Sequence, residues 1–345
     1  MASMEILENI SLKQHSTMGL GGSARFACTV TSRGELAEAL NWAKDHQQAT
    51  LMIGTGSNII WRDEGFDGLL IINAILGYEL LEQDPGNFYL RTGAGENWDN
   101  VVARTVADGL SGIEALSLIP GTVGATPIQN VGAYGQDVSQ TITTIEAYDT
   151  VLNEYVIIRG FDCGFSYRTS RFNGVEQGRF YITAVTYNLR RANPEAPYYP
   201  AVQKYFDEHP VQNVTPAILR EAVIAIRTAK LPDSKIVHNS GSFFGNPIIT
   251  QQLFKDIKLL YPDVPHWMVE DSVKLPAAWL IEQAGFKDVH DAATGMGTWS
   301  NQSLVLVNES ATTTAQLLAF KQKITDAVTG KFGIELQQEP ELLPR

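Results

Sequence analysis

The chain has 345 residues, 44% of them apolar and 19% charged, and a formal net charge of −12. This composition belongs to a soluble globular protein with core enough for two or three domains. The acidic balance excludes general nucleic-acid binding, which draws its affinity from neutralising phosphates, and the longest apolar runs are too short to cross a bilayer.

The N-terminal "MASMEILENISLKQ" has no basic region followed by an apolar stretch, so no secretion signal is expected. Cys28 and Cys163 stand far apart, without metal-ligand spacing, and read as free thiols in a reducing cytoplasm. The spacing of "GELAEALNWAKDHQ" predicts a helix over 34–47, and the apolar runs at 51–53 and 69–72 predict buried strands. A second helix over 97–109 closes on Gly109, suited to a C-terminal cap. From 141 to 190 the pattern alternates and is rich in β-branched and aromatic residues, as antiparallel strands are. The segment "RRANPEAPYYP" (190–200), with three prolines, reads as a loop. The next helix, 215–230, has Thr215 as cap, Pro216 in its first turn, and Ile218, Ala222 and Ile226 on one face. Helices at 275–284 and 312–329 flank a strand at 303–308, and 331–345 is a short return segment. The order of elements predicts an α+β chain.

Two strand-to-turn passages echo each other: "LMIGTGSNIIW" (51–61) and "LRTGAGENWDN" (90–100). Each begins as the dinucleotide fingerprint G-x-G-x-x-G, and each has a large residue, Ile59 or Trp98, at the third glycine. A standard Rossmann site is excluded on that ground; each passage alone also reads as a tight turn. The stretch "IPGTVGATPIQNVGAYG" (119–135) says more. Its glycines at 121, 124, 132 and 135 let backbone approach a ligand, and it carries no charged residue. Its amide hydrogens can form an anion-binding nest without a lysine, and Thr122, Thr126, Gln129 and Asn130 add neutral hydrogen bonds. Ile119, Val123, Ile128, Val131 and Tyr134 call for burial, so a structured loop is expected, holding a diphosphate or the polar edge of a planar ring.

The longer stretch "SLIPGTVGATPIQNVGAYG" (117–135) resembles the flavin-binding signature of the UDP-N-acetylenolpyruvoylglucosamine reductase family. The likeness continues in the family's order through "TMGLGGSA" (17–24), "IGTGSNI" (53–59), "GAGENW" (93–98), "FSYRTS" (165–170), "IRTAKLPD" (226–233), "NSGSFFGNP" (239–247), "SVKLPAAWLIEQAG" (272–285) and "QEPE" (338–341). The resemblance implies an FAD-binding fold of the vanillyl-alcohol-oxidase (PCMH) type. It has two α+β subdomains, 1–72 and 73–193, the latter joined by 331–345, and a C-terminal α+β substrate domain, 194–330. It implies non-covalent FAD, NADPH as hydride donor, a UDP-sugar substrate, no metal, no membrane or nucleic-acid partner, and a cytoplasmic monomer in peptidoglycan-precursor synthesis.

By the same resemblance FAD is held by Gly54, Thr55, Gly56, Ser57 and Asn58. Pro120, Gly121, Gly124, Ala125, Thr126, Gln129, Asn130, Gly132, Ala133 and Tyr134 complete its site. Ser242 matches the family's proton donor, Arg168 its catalytic arginine and Glu341 its catalytic glutamate. Tyr199, Lys230 and Asn246 match substrate contacts, although "PYYPAVQKY" offers three tyrosines. Taken alone, Ser242 is a common turn serine, Arg168 a strand-end arginine, Glu341 a tail residue, and Lys230 a cation favoured at a helix C-terminus. The presence of the tyrosine loop points to the subtype that carries it. Gly245 and Trp299 are departures that the motifs do not explain. Two other functions fit the fold: a flavin oxidase acting on an alcohol or sugar, and a catalytically silent nucleotide-binding protein. No histidine lies in 47–208, against covalent flavin attachment from the loop region.

Overall fold

The two apolar runs of the first third become neighbouring parallel strands, Ala49–Ile53 and Phe66–Asn73, in register from Ala49↔Gly68 to Ile53↔Ile72. The structure is a computed structural model and describes residues 4–84 and 86–345. Contacts divide the chain into two compact units. One comprises Met1–Ile10, Ala24–Thr55 and Asp67–Thr228, the other Ser11–Ser23, Gly56–Phe66 and Ala229–Arg345.

In the first unit a four-stranded sheet runs in the order Leu7–Ser11, Ser23–Val30, Phe66–Asn73, Ala49–Ile53. The helix Arg33–Asp45 begins where the Ser32 side chain accepts from the Glu35 amide, and it buries Leu36, Ala39 and Ala43 with Val30, Leu69 and Ile71. A five-stranded antiparallel sheet follows, in the order Glu154–Arg159, Ile142–Asp149, Phe180–Leu189, Asn87–Gly93, Tyr78–Asp84. Register shifts between Ile142 and Thr144 and between Glu146 and Ala147 interrupt the strand alternation, so that Ile142, Ile145, Ala147, Ile182 and Val185 all enter a core shared with Trp98, Val101 and Val102 of the helix Trp98–Ala107. Helices Pro200–Glu208 and Pro216–Lys230 join Val202, Phe206, Leu219, Ala222 and Val223 into a further cluster with Ala115.

In the second unit the strands run Asn239–Ser242, Gln302–Asn308, Met296–Trp299, His290–Asp291. Their apolar face, with Leu304 and Leu306, packs with Phe243 on the helices Ala277–Gln283 and Thr314–Phe332. A three-stranded sheet, Ile248–Thr250, Ser272–Lys274, Trp267–Val269, accompanies the helix Gln251–Leu260. The strand Glu341–Leu343 pairs in parallel with Ile59–Trp61, and the Asp63 carboxylate accepts from the Thr314 and Ala315 amides at 2.7 and 2.9 Å, capping the long helix.

Some boundaries differ from the sequence reading. The units divide at Thr228/Ala229 rather than 193/194, because the helices after residue 200 bury their apolar faces with Ala115 and Tyr134. The segment 331–345, expected to join 73–193, folds within the second unit. The last helix runs to Phe332, with Gly333 in the left-handed conformation as its C-cap, and the strand comes only at Glu341. The helix Pro200–Glu208 was hidden by the prolines before it, yet Pro200 occupies the first helical position, where a missing amide costs nothing.

Candidate active site

The glycine-rich loop of the first unit is a packed structure. Gly121, Thr122 and Val123 are buried, and Ile119, Ile128 and Val131 pack against the core that Val123 enters. The two echoing passages brace it. The Val123 and Gly124 amides donate to Glu96 O and Ala94 O at 2.9 and 2.8 Å, and the Trp98 amide donates to Gly121 O at 3.1 Å. A Cβ on Gly54 would lie 2.3 Å from Thr122 Oγ1, and one on Gly124 2.7 Å from Ala94 Cβ. Gly54 and Gly124 therefore leave no room for a side chain where these segments pack together.

Several residues assigned to the cofactor use their polar groups within the protein. The Ala125 and Thr126 amides donate to Thr122 O and Val123 O, and the Thr126 hydroxyl lies 2.9 Å from the buried Tyr187 hydroxyl, whose ionisation burial pushes up. Asn130, at φ 45°, donates from Nδ2 to Ser166 O and accepts the Ser139 amide on Oδ1. Gly132 and Ala133 form a small hairpin with Asp137 and Gln136. The exposed Ala125 and Pro120, the half-buried Gln129, and the neighbouring exposed Thr55 complete the loop's surroundings.

Arg168 belongs to this loop in space. Its Nη2 donates to Gly132 O at 2.8 Å, and a Cβ on Gly132 would sit 3.3 Å from its Nη1. The 166–170 segment is fastened by Ser170 Oγ to Ile128 O at 2.6 Å, and Arg168 itself is held at φ 54°. A non-glycine residue persists in that region only where its surroundings over-determine it. Of the three candidate tyrosines, Tyr198 bonds Pro194 O and Tyr205 stacks on His209, whereas Tyr199 meets Tyr134 edge-on at 5.7 Å between centroids.

Sequence reasoning missed Arg227. Its Nη2 donates to Leu118 O at 3.3 Å and its guanidinium also bonds Tyr134, whose phenol burial pushes up. Leu118 and Tyr134 are the left-handed residues at the two ends of the loop, at φ 58° and 48°. The signal lay in "IRTAKLPD", from which only the lysine was taken.

The second unit holds the remaining candidates. The Glu341 amide donates to Asn58 O at 3.0 Å, and Asn58 Nδ2 donates to Glu339 O at 3.4 Å, so a cofactor candidate and a catalytic candidate meet through backbone. The Glu341 carboxylate is paired with Arg345, a partner the sequence reading had not named. Gly56 accepts the Thr17 amide, and Ser57 O accepts from the Thr17 hydroxyl. Ser242 is half-buried at the end of its strand, followed by the fully buried Phe243 and Phe244. Asn246 Oδ1 accepts the Ala277 amide at 2.9 Å, capping a helix, and Lys230 is an exposed last helical residue next to Ala229, whose carbonyl accepts from Asn301. Trp299 lines a cleft of about 450 Å³ with His238, His290, Asp288 and Glu309.

A backbone-lined loop with no carboxylate of its own between 117 and 135, and a guanidinium fastened to Gly132, fits a cofactor carrying a diphosphate and a neutral polar ring. Residues 24–155 match the FAD binding domain family, and residues 232–343 match the UDP-N-acetylenolpyruvoylglucosamine reductase C-terminal domain. A UDP-N-acetylenolpyruvoylglucosamine reductase of Alcanivorax borkumensis is 37% identical over 338 residues, covering 98% of this chain and 96% of its own. One of Burkholderia mallei is 38% identical over 348 residues, covering 98% of each. The chain belongs to the UDP-N-acetylenolpyruvoylglucosamine reductase family. The solved reductase of Thermus caldophilus shares the fold, with a TM-score of 0.69 at 22% identity over 99% of this chain and 100% of that one.

Membership of the reductase family confirms the expected α+β fold with an FAD-binding domain. Both cysteines are free and buried, and burial pushes their thiols up, to about 11 for Cys28 and about 12 for Cys163. Among the described residues no group of three or more histidine, cysteine, aspartate or glutamate side chains is placed to hold a metal ion. No helix among them is long and apolar enough to cross a membrane.

Proposed function

We propose that this chain uses FAD and NADPH to reduce the enolpyruvyl ether of UDP-N-acetylglucosamine enolpyruvate to the lactyl ether of UDP-N-acetylmuramate, in the cytoplasm and as a monomer. The observation that carries this reading is identity of 37–38% over 98% of the chain to proteins bearing the reductase name. Bound FAD supplies the hydride carrier between NADPH and the alkene.

The chain's own groups have three tasks. The Arg168 guanidinium pairs with the substrate carboxylate through two hydrogen bonds and stabilises the charge that develops as the alkene becomes an enolate. The Ser242 Oγ–H gives its proton to the carbon next to that carboxylate. A hydroxyl is a weak acid, so it releases its proton only to a centre as basic as an enolate, which confines the step to the moment after hydride addition. The Glu341 carboxyl, carrying a proton, donates a hydrogen bond to the same enolate. Lys230 and Asn246 hold the diphosphate and sugar, and Tyr199 covers the nucleotide.

The test is a pair of anaerobic half-reactions on the purified yellow protein. NADPH should bleach the flavin, and the enolpyruvyl substrate should restore its colour. Ser242→Ala should leave bleaching near normal and slow the return of colour by roughly 10²-fold or more. Rapid oxygen consumption with an alcohol, and no reoxidation by the enolpyruvyl substrate, would replace this reading with an oxidase. Acid precipitation should release all the colour into the supernatant, because no histidine in 47–208 is available to tether the flavin.

A further inference from the structure

The strand Asn239–Ser242 pairs out of step with Gln302–Asn308: Asn239 lies opposite Val307 and Ser242 opposite Val305. Three steps on one strand face two on the other, so one residue is extra, and the strand carries a β-bulge. Residues directly opposite share a face of the sheet, as do residues two apart on a regular strand. Val305 and Val307 share a face, and therefore Asn239 and Ser242 share it too. Leu304 and Leu306 point the other way, into the core with Phe243. Without the extra residue, Ser242 would fall on the Leu304 and Leu306 face, with its hydroxyl in the hydrophobic core. The bulge decides which side of the sheet receives the hydroxyl.

Two features hold the bulge. Gly241 sits at φ 69°, a conformation natural to glycine. Asn239, 4% exposed, accepts the Gly241 amide on Oδ1 at 2.9 Å and donates from Nδ2 to Val237 O at 2.8 Å. One buried amide thus clamps the backbone on both sides of itself. The arrangement is held against a cost, since the Ser240 hydroxyl inside the bulge is buried without a hydrogen-bond partner. A buried polar group left unpaired in a native fold points to a constraint imposed from elsewhere.

We infer that Asn239 is a positioning residue for proton delivery, fixing the bulge that turns Ser242 to the reactive face. This rests on the assignment of Ser242 as proton donor. Asn239 touches neither substrate nor flavin in this role; it acts through the backbone of Gly241.

The test uses the FAD-loaded full chain and reads the two half-reactions separately, with the solvent deuterium isotope effect on reoxidation. Asn239→Ala should leave flavin bleaching by NADPH within about twofold of the parent and slow reoxidation by about 10²-fold, the usual effect of misplacing a reacting group by about an ångström. The isotope effect should rise as proton transfer becomes limiting. Asn239→Asp, which keeps the acceptor for the Gly241 amide, should recover part of the rate. A second pair of variants avoids dependence on the Asn239 side chain. A Cβ at Gly241 meets nothing within 4 Å, so Gly241→Ala perturbs only the backbone conformation, and Gly241→Asn, which tolerates the left-handed region, should be less impaired. Equal slowing of both half-reactions would make Asn239 a general structural residue and overturn the inference. So would parent-like reoxidation in Asn239→Ala and in Gly241→Ala while Ser242→Ala is slow. If Ser242→Ala itself reoxidises normally, the proton-donor assignment fails first, and that outcome is distinct from the other two.

Discussion

Gly124→Ala tests whether the glycine-rich loop is rigid because it is pressed onto Ala94. Gly124 lies in a right-handed 3₁₀ turn, so alanine is compatible with its backbone, and the substitution isolates the contact. The new Cβ would stand 2.7 Å from Ala94 Cβ and 3.1 Å from Ala94 O. Ordinary carbon contact begins near 3.5 Å, so the loop must retreat by about 0.8 Å. That movement lengthens the 2.8 Å hydrogen bond from the Gly124 amide to Ala94 O. Overpacking of this kind costs about 1–3 kcal/mol and a weakened hydrogen bond about 1 kcal/mol, so a loss of about 2–4 kcal/mol is expected. The assay is urea unfolding of the flavin-free protein, with fluorimetric FAD titration of the same sample. The midpoint should fall and FAD should bind more weakly. Ala94→Gly alone should cost about 0.5–1 kcal/mol. The double variant should recover at least 1 kcal/mol relative to Gly124→Ala, because only the 3.1 Å contact with oxygen then remains tight. If the two substitutions simply add, the loop is not held by this contact and the account of its rigidity is wrong.

Glu341→Gln should keep full FAD content and near-normal KM while kcat falls at least tenfold, because the lost interaction belongs to the transition state; parent-like turnover in steady-state kinetics would reduce Glu341 to a tail residue. Hydrogen bonds from Arg179 hold the Asp149 carboxyl below its usual range, against the opposing effect of burial and with help from the Leu152 and Val151 amides. A folded-state pKa below the unfolded value near 3.9 means that this stability is full above about pH 4 and is lost as pH falls through the lower folded value. The gap in urea midpoint between the parent and Asp149→Asn should therefore be widest at neutral pH and shrink in acid; a constant gap would contradict the assignment. Ser240→Ala removes a buried hydroxyl with no partner, and the thermal midpoint should hold or rise, whereas a clear fall would reveal a partner for that hydroxyl.

Much of the fold was legible because periodicity is a local property. The helices at Arg33–Asp45, Trp98–Ala107 and Pro216–Lys230 carry their caps and apolar faces within the segment itself. What escaped depends on partners far away in sequence. Residues 341–343 become a strand only because 59–61 offer them a parallel edge, and nothing within "QEPELLPR" announces it. Assignment of the site shows the same division. The glycine-rich loop declared itself by composition, while Arg227 looked like any helical arginine until Leu118 and Tyr134 were beside it. The face to which Ser242 belongs was likewise unreadable, since a bulge is a mismatch between two strands and neither strand contains it alone.

The make-up of the second unit bears on how the polypeptide can be cut and in what order it can fold. Residues 11–23 and 56–66 leave the ribosome early, yet what they complete is supplied almost a full chain length later: Asn58 and Glu339 are 281 positions apart. Asp63 must wait for the helix it caps, and Ile59–Trp61 for the strand beside it. A C-terminal fragment beginning at residue 232 would contain a complete sequence match to its domain family and still lack the Asp63 carboxylate that accepts the first amides of its longest helix, and one strand of a sheet. The limits of a domain as sequence comparison draws them and the smallest piece that can stand alone are different things in this chain. Closure of the second unit becomes a late event, one that a nascent chain truncated before residue 341 could not complete.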